Sequence, residues 1–353
     1  MLVSAVFYAA IAVAAGRADG FAYTQLIRAG ASFAAQGVLL PGQHAEAGYG
    51  YDGQFYFYLA EDPFLRSPAT VASLDSGFRY RRLLYPLVAW LASGGERALV
   101  PRALVGVNLA AALLTVGLVA RAAVAARASP WIGLLVAVFP GVWVPVVLDT
   151  TETLQTALAA AALVTGSALI AFVGCMAKET AAPVLLAGAV SRWRGGKPRG
   201  ALVFIGALLL YSAWVASVRF LILPELPGWA QRLDLLVDFP SRHGDLYWMA
   251  THGSLASKLL PSAVAFIFLV ALVRVLFTRD EATLAVAPYA AISLSLGVDT
   301  WIDALAYMRY AGFVLVLVIL SWVRRRDRPG GTALLVATVI AAISVVTLGA
   351  LLL

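Results

Sequence analysis

The sequence predicts an all-α polytopic membrane protein, and three features carry that expectation. Of 353 residues, 61% are hydrophobic and 13% charged, and the mean hydropathy is +0.86. One soluble core cannot hide that much apolar surface, so lipid has to be the solvent for most of the chain. The apolar residues come in runs of membrane-crossing length, and the basic residues collect between the runs. The net charge of +7 therefore reads as an orientation signal and not as a surface for nucleic acid. No repeat or low-complexity tract interrupts the pattern, which implies one integral membrane domain over residues 1–353. The single cysteine, Cys175, lies among apolar residues and excludes an intrachain disulfide. Twenty-three Arg against three Lys, with abundant Ala, is the bias of a GC-rich bacterial genome, so the expected location is a bacterial inner membrane.

Eight apolar runs stand out in order: 2–16, 98–120, 131–148, 200–222, 259–277, 282–297, 307–323 and 332–352. The first has neither a basic leader nor a small-residue cleavage site, which makes it a helix and not a signal peptide. Four short connections, 121–127, "SRWRGGKPRG" at 191–200, "FTRDEA" at 277–282 and "RRRDRPGG" at 324–331, carry the Arg and Lys that mark the cytoplasmic side. Asp149 must then be outside and Arg192 inside, so an odd number of crossings separates them. One long or three short helices meet that demand, for about nine to eleven spans in all. Three short ones are favoured, with an inner turn at Gly166 and an outer turn at "AKET", 177–180. On that scheme only Asp280, Glu281 and Asp327 of the 19 acids lie inside, so chemistry belongs to the outer face.

Two outer segments, 17–97 and 223–258, mix aromatics with charge in the manner of a lid or groove at the membrane surface. The first contains "GYGYDGQFYFYLAEDP" at 48–63, where Asp52 precedes a short helix expected to end before Pro63. Asp52 suits either an N-cap or a functional acid. On the helix Gln54, Tyr58 and Glu61 share one face and Phe55 and Leu59 another, which predicts a polar face close to lipid. Further on, "RRLLYPLVAWLASGG" has too few apolar residues to cross and is expected to lie in the interface or dip in and return.

Several charges lack a structural excuse. Arg79, Arg81 and Arg82 sit on the outer side against the orientation rule and call for an anion. Asp149 and Glu152 mark an outer turn, Lys178 and Glu179 sit in a hairpin between apolar flanks, and Arg309 opens a span. Ionisable groups at that depth either pair with one another or line a cavity, and Lys178 with Glu179 or Asp149 would be such a pair. Arg219 can snorkel outward from its helix end. His243, Asp245 and His252 match no tight metal-ligand spacing and read as loop residues.

A carboxylate, several cations and a groove at lipid level suit transfer of a sugar from a polyprenyl phosphate, since such a donor arrives sideways from the bilayer. No glycine-rich turn for a nucleotide donor is present. One helix, then a long outer loop with "YDGQFYFYLAEDP" and "YRRLLYPLVAWLASGG", then a span ending in Arg: this order resembles the N-terminal module of the GT-C superfamily of polyprenyl-phosphate-sugar-dependent glycosyltransferases. Mannosyltransferases of glycolipid anchors, protein O-mannosyltransferases and aminoarabinose transferases are the nearest likenesses. The likeness covers roughly the first 190 residues. "YDGQ" departs from the W-D-G-x-H form of the anchor enzymes, and the large outer C-terminal domain usual in the superfamily is missing.

The resemblance implies a GT-C-like helical bundle and an inverting transferase with Asp52 as the base or as the metal-assisted acceptor ligand. Arg79, Arg81, Arg82, Lys178 and Arg309 would then hold the donor phosphate, and Gln54, Tyr58, Glu61, Asp149, Glu152 and Glu179 would orient sugar or acceptor hydroxyls. The expected partners are the bilayer, a donor carrying mannose or a related sugar, and a glycan or glycolipid acceptor. Some relatives use a divalent ion and others do not; three outer acids are of the type that binds Mg or Mn, and the sequence does not decide between the two. A lipid or ion transporter or flippase would use the same buried charges without bond changes, although the sequence lacks the matched broken helices of inverted repeats. A non-catalytic subunit of an envelope assembly is the third alternative.

Overall fold

The computed structural model describes residues 1–34, 39–40, 43–226, 280–294 and 304–325. The predicted spans at 259–277 and 332–352, most of the second outer segment, and His243, Asp245 and His252 lie outside them. The described chain is helical throughout its regular structure, with two isolated bridges and no strand. Three of its helical stretches are long and apolar enough to cross a membrane: Leu2–Asp19, Arg97–Ala125 and Pro198–Ile222.

The element around which the others gather is α6, Val100–Ala125, whose 26 residues reach about 39 Å. α1 (Leu2–Gly16) packs beside it and leaves Leu2, Val3, Val6 and Val13 exposed. The 131–148 run does not form the single span its hydropathy predicts. It breaks into α7 (Ile132–Ala137) and α8 (Pro140–Val147) because Pro140 lacks an N–H and drives Phe139 into extended backbone, φ −70° and ψ 130°. Beyond Asp149 the three short helices favoured by charge parity are present: α9 (Glu152–Thr165), α10 (Ala168–Ala177) and α11 (Ala182–Arg194). Gly166, at φ 69°, makes the first turn, and Ser167 caps α10 by accepting from the Ile170 amide at 3.3 Å. Then come α12 (Pro198–Ser217), which ends in a π-turn over Val218–Ile222, and the later helices α13 (Glu281–Leu294) and α14 (Ala304–Arg325).

The two ends of this bundle carry different residues. At one end Arg192 donates to Glu281 (2.7 Å), Gly188 O (3.2 Å) and Gly166 O (2.8 Å), and stacks 4.0 Å over Phe204. Arg324 approaches Asp280 there at 3.7 Å. Arg309, fifteen residues earlier on α14, lies about 22 Å away at the other end. Residues assigned by sequence to the inner face thus share one end, and those assigned to the outer face share the other.

The outer end has an apolar core of its own. α3 (Gly53–Glu61) is enclosed by Ile27, by α5 (Leu84–Ala92) and by the start of α6, and every residue from Gly53 to Ala60 is buried. The polar, lipid-near face expected for this helix is therefore not observed: Gln54 and Tyr58 are as covered as Phe55 and Leu59. α5 does behave as a half-buried surface helix, hiding Tyr85, Pro86 and Ala89 and exposing Leu91. Arg219 turns outward and donates to Pro224 O and Leu226 O at 3.1 and 3.2 Å.

Gly53 sets how closely α3 seats on the bundle. A Cβ there would stand 2.6 Å from Leu148 O and 3.2 Å from Ile27 O, both backbone atoms that cannot yield easily. Gly106, on α6, has open space around it. Gly53→Ala is therefore expected to destabilise by about 1–3 kcal/mol through overpacking, whereas Gly106→Ala is neutral or stabilising by up to roughly 1 kcal/mol. Thermal unfolding of the two variants in detergent checks the contrast, and equal melting temperatures would refute the close seating of α3.

Candidate active site

The loop before α3 is stitched so that Asp52 has little freedom. Gly50, at φ 70°, lets the chain pass against Gly30, with Tyr51 N donating to Arg28 O at 2.9 Å. Gln54 then closes the loop. Its Oε1 accepts from Gly30 N (3.0 Å), and its Nε2 donates to Tyr49 O (2.7 Å) and Tyr51 O (3.0 Å). Both ends of this amide are spent on backbone, so Gln54 supports the site from beneath.

Asp52 occupies the N-cap position of α3, yet its carboxylate makes no capping hydrogen bond. The side chain turns to cations instead. Oδ1 lies 2.9 Å from Arg79 Nη1, and Oδ2 lies 3.5 Å from Arg309 Nη1. Arg79, on the 3-10 turn Arg79–Arg82, also donates to both oxygens of Asp75 at 2.9 and 2.8 Å and lies over the Phe55 ring at 4.5 Å. Arg309 Nη1 is 3.4 Å from Glu152 Oε1 as well, and Glu152 accepts from Lys178 Nζ at 2.6 Å. A continuous ionic chain thus joins Asp75, Arg79, Asp52, Arg309, Glu152 and Lys178. It draws together the outer loop, α14, the start of α9 and the end of α10.

A second set lies against the first. Arg82 forks onto Glu179 at 2.9 and 2.6 Å and donates to Tyr56 Oη at 2.8 Å. The outer turn forecast for "AKET" is therefore what brings Lys178 and Glu179 to the two arms of the cluster. Arg81 is buried over Phe78 at 5.5 Å, with its carbonyl accepting from Trp214 Nε1 at 3.2 Å. Exposure of the ionic groups is uneven. The side chains of Asp52 and Glu179 keep 29% and 27% of their surface, while those of Arg79, Arg309, Glu152 and Lys178 keep 7% or less. Two carboxylates, Asp52 and Glu179, form the front of the cluster, and the cations lie behind them together with Glu152.

Charge states follow from that setting. Burial alone would raise the Asp52 carboxyl, but Arg79, then Arg309, Arg82 and Lys178 outweigh it and hold the group well below the usual carboxylate range. Glu179 is lowered too, Arg82 outweighing burial. Asp149 behaves in the opposite way. It is fully buried, its backbone is left-handed at φ 48°, and neither oxygen has a hydrogen-bond partner. Burial pushes its carboxyl well up, which favours the neutral acid behind Gly53. Beside it, Asn108 Nδ2 donates to Tyr85 Oη (2.8 Å), Pro145 O (2.9 Å) and Thr150 O (3.0 Å), fixing the turn that leads into α9.

Not every residue singled out by sequence joins this cluster. Glu61 lies at the far end of α3, about 13 Å along its axis, paired with Arg97. Burial raises its carboxyl to about 7 against the pull of Arg97. The Tyr58 hydroxyl has no hydrogen-bond partner within the second apolar core. Sequence reading missed Asp75 and Tyr56. Both were legible by spacing, since each lies four residues from a group already suspected, Asp75 from Arg79 and Tyr56 from Asp52. Tyr51, 4.9 Å beneath the Arg309 guanidinium, could be placed only by the fold.

No group of three or more His, Cys, Asp or Glu converges as a metal site among the described residues. Among the described residues Glu152 is committed to Lys178 and Asp149 has no hydrogen-bond partner, so these two acids do not share one donor set with Asp52. Compared with protein-family models, with curated proteins and with solved structures, the chain matches none.

The opposite shifts of the two aspartates give opposite pH behaviour. Asp52, lowered on folding, stabilises above the ordinary aspartate range and loses that share as pH falls through it; Asp149, raised on folding, gives up stability as pH climbs from the ordinary range through its folded value. Asp149→Asn is therefore expected to be at least as stable as the native chain at pH 8. Asp52→Asn is expected to be less stable at pH 7 and, by nearly the same margin, at pH 4, with the gap narrowing only at more acidic pH. Melting curves across this range test both, and an Asp149→Asn chain clearly weaker at pH 8 would show that the buried carboxyl is ionised.

Proposed function

We propose that the outer cluster is the active site of an inverting, GT-C-like glycosyltransferase with a polyprenyl-phosphate sugar as donor. The observation that carries the reading is the orientation of Asp52. A residue placed to cap a helix forgoes the cap, stays ionised between two guanidiniums and keeps part of its surface open. The rear cations are suited to a phosphate, and the front carboxylates are suited to hydroxyl groups.

In the proposed reaction an acceptor hydroxyl donates its hydrogen bond to Asp52. The bond between the anomeric carbon and the phosphate oxygen breaks, and its electron pair leaves on the phosphate, where Arg79, Arg309 and Lys178 offset the growing charge. The acceptor oxygen bonds to the opposite face of the carbon, which inverts the configuration, and its proton passes to Asp52. Glu179 and Arg82 stand beside the opening, where the sugar or acceptor hydroxyls would lie. The exposed apolar flanks of α1 and α12 give the lipid tail a sideways approach. We place this face at the outer side of a bacterial inner membrane, with a lipid-linked or cell-envelope glycan as acceptor, in keeping with the inner Arg clusters.

The test is transfer in a reconstituted bilayer, with labelled polyprenyl-phosphate mannose, arabinose or glucose and a membrane-lipid extract as acceptor. The native chain is expected to form product and Asp52→Asn to lose roughly a hundredfold or more in rate, the scale of general-base catalysis. Asp52→Asn, shown to be well folded by gel filtration, decides the comparison. Product formed equally by both chains would remove Asp52 from the chemistry, and no consumption of any donor would favour a carrier or a non-catalytic subunit.

A further inference from the structure

Arg309 is held differently from its neighbours. Arg79, Arg82 and Lys178 each donate to carboxylates at 2.6–2.9 Å. Arg309 instead has one nitrogen, Nη1, stretched between Asp52 at 3.5 Å and Glu152 at 3.4 Å. Neither separation with its geometry makes a hydrogen bond, and Nε is equally without one among the described residues, although Arg309 is only 6% exposed. A buried guanidinium with unmet N–H donors is costly unless something else completes it.

We propose that Arg309 is an exchange cation: the donor phosphate takes its free N–H groups and draws it away from Asp52, so that donor binding itself releases the base. This rests on the donor reading above and adds a coupling within that site. A carboxylate held by two guanidiniums is a weak proton acceptor, and losing one of them strengthens it. Asp52 is thus kept paired in the empty site and becomes an effective base when the leaving group is seated. In the empty protein Asp52 and Glu152 are intramolecular competitors of the phosphate.

Competition makes an unusual prediction, because deleting an acid should improve binding of an anion. Polyprenyl phosphate, which has the phosphate and lipid but no sugar, is titrated onto the protein in nanodiscs, with inorganic phosphate as a second probe. Asp52→Asn is expected to bind the lipid phosphate roughly tenfold tighter than the native chain, within the range of coupling between contacting groups. Arg309→Gln is expected to bind at least about tenfold weaker, and the gain from Asp52→Asn to shrink to under about threefold in the Arg309→Gln background. Glu152→Gln, which removes the other acceptor on the same nitrogen, must also tighten binding and serves if Asp52→Asn does not fold. Unchanged or weaker binding by the acid variants, or a full gain that survives without Arg309, overturns the exchange while leaving the donor reading intact. If no variant binds phosphate in either form, both fall. Equal tightening toward inorganic phosphate upholds the exchange and removes the lipid tail from recognition.

Discussion

The half of the molecule that holds Asp52 and Arg309 depends on one constraint, the need to satisfy charges buried where the first loop meets the bundle. Arg309 comes from α14 and Glu152 from α9, while Asp52 comes from a loop more than 250 residues before Arg309. A lone charge in this place would cost several kcal/mol, so each group can be buried only because the others are. The loop must therefore dock with α14 and α9 already in position. The apolar core around α3 gives the docking its energy, and the ionic chain gives it its register. Gly53 lets α3 approach the Leu148 carbonyl closely enough for both to operate together.

Much of this arrangement was legible from charge bookkeeping along the chain. Parity between Asp149 and Arg192 argued for three short helices, and α9, α10 and α11 have those lengths and turns because Gly166 and the "AKET" hairpin are strong punctuation. The membership of Asp52, Arg79, Arg82, Lys178 and Arg309 in one cluster was suggested by their shared lack of a structural excuse. Hydropathy misled at 131–148, since an average over the run does not register that a proline at 140 removes a donor and bends the residue before it. It misled again on α3, where alternate faces imply a lipid surface only if nothing covers them; the loop's own aromatic core covers them all. The partners of each cation were not legible, because pairs such as Arg82 with Glu179 span almost a hundred residues and are fixed by tertiary packing alone.

The layering of the cluster has a chemical logic. Cations set behind carboxylates are screened from small anions in water, and a hydroxyl group meets an acceptor first. On the proposed reading, a phosphate displaces an internal carboxylate to reach Arg309. Such a site discriminates by exchange: a ligand that supplies only negative charge gains little over the acids already present, while one that also anchors through a lipid tail brings the surplus needed to compete. That distinction suits a donor delivered from the bilayer better than a free ion.

The opposite end of the same bundle provides an internal comparison. Arg192 is also a partly buried arginine between helices, and it joins α11, α13 and the turn at Gly166. Its Nη1 and Nη2 meet a carboxylate and two carbonyls within hydrogen-bond distance, and its face rests on Phe204. That is how this fold satisfies an arginine whose task is to hold helices together. Arg309 sits in a site with more acids and is satisfied less well. If its task were only to hold α14 against α9, a fully bonded pair of the Arg192 kind would do so at lower cost, and a well-packed apolar contact would serve as well. The sharing of Arg309 between two carboxylates at 3.4 and 3.5 Å is what the proposed exchange requires of a site before its ligand arrives.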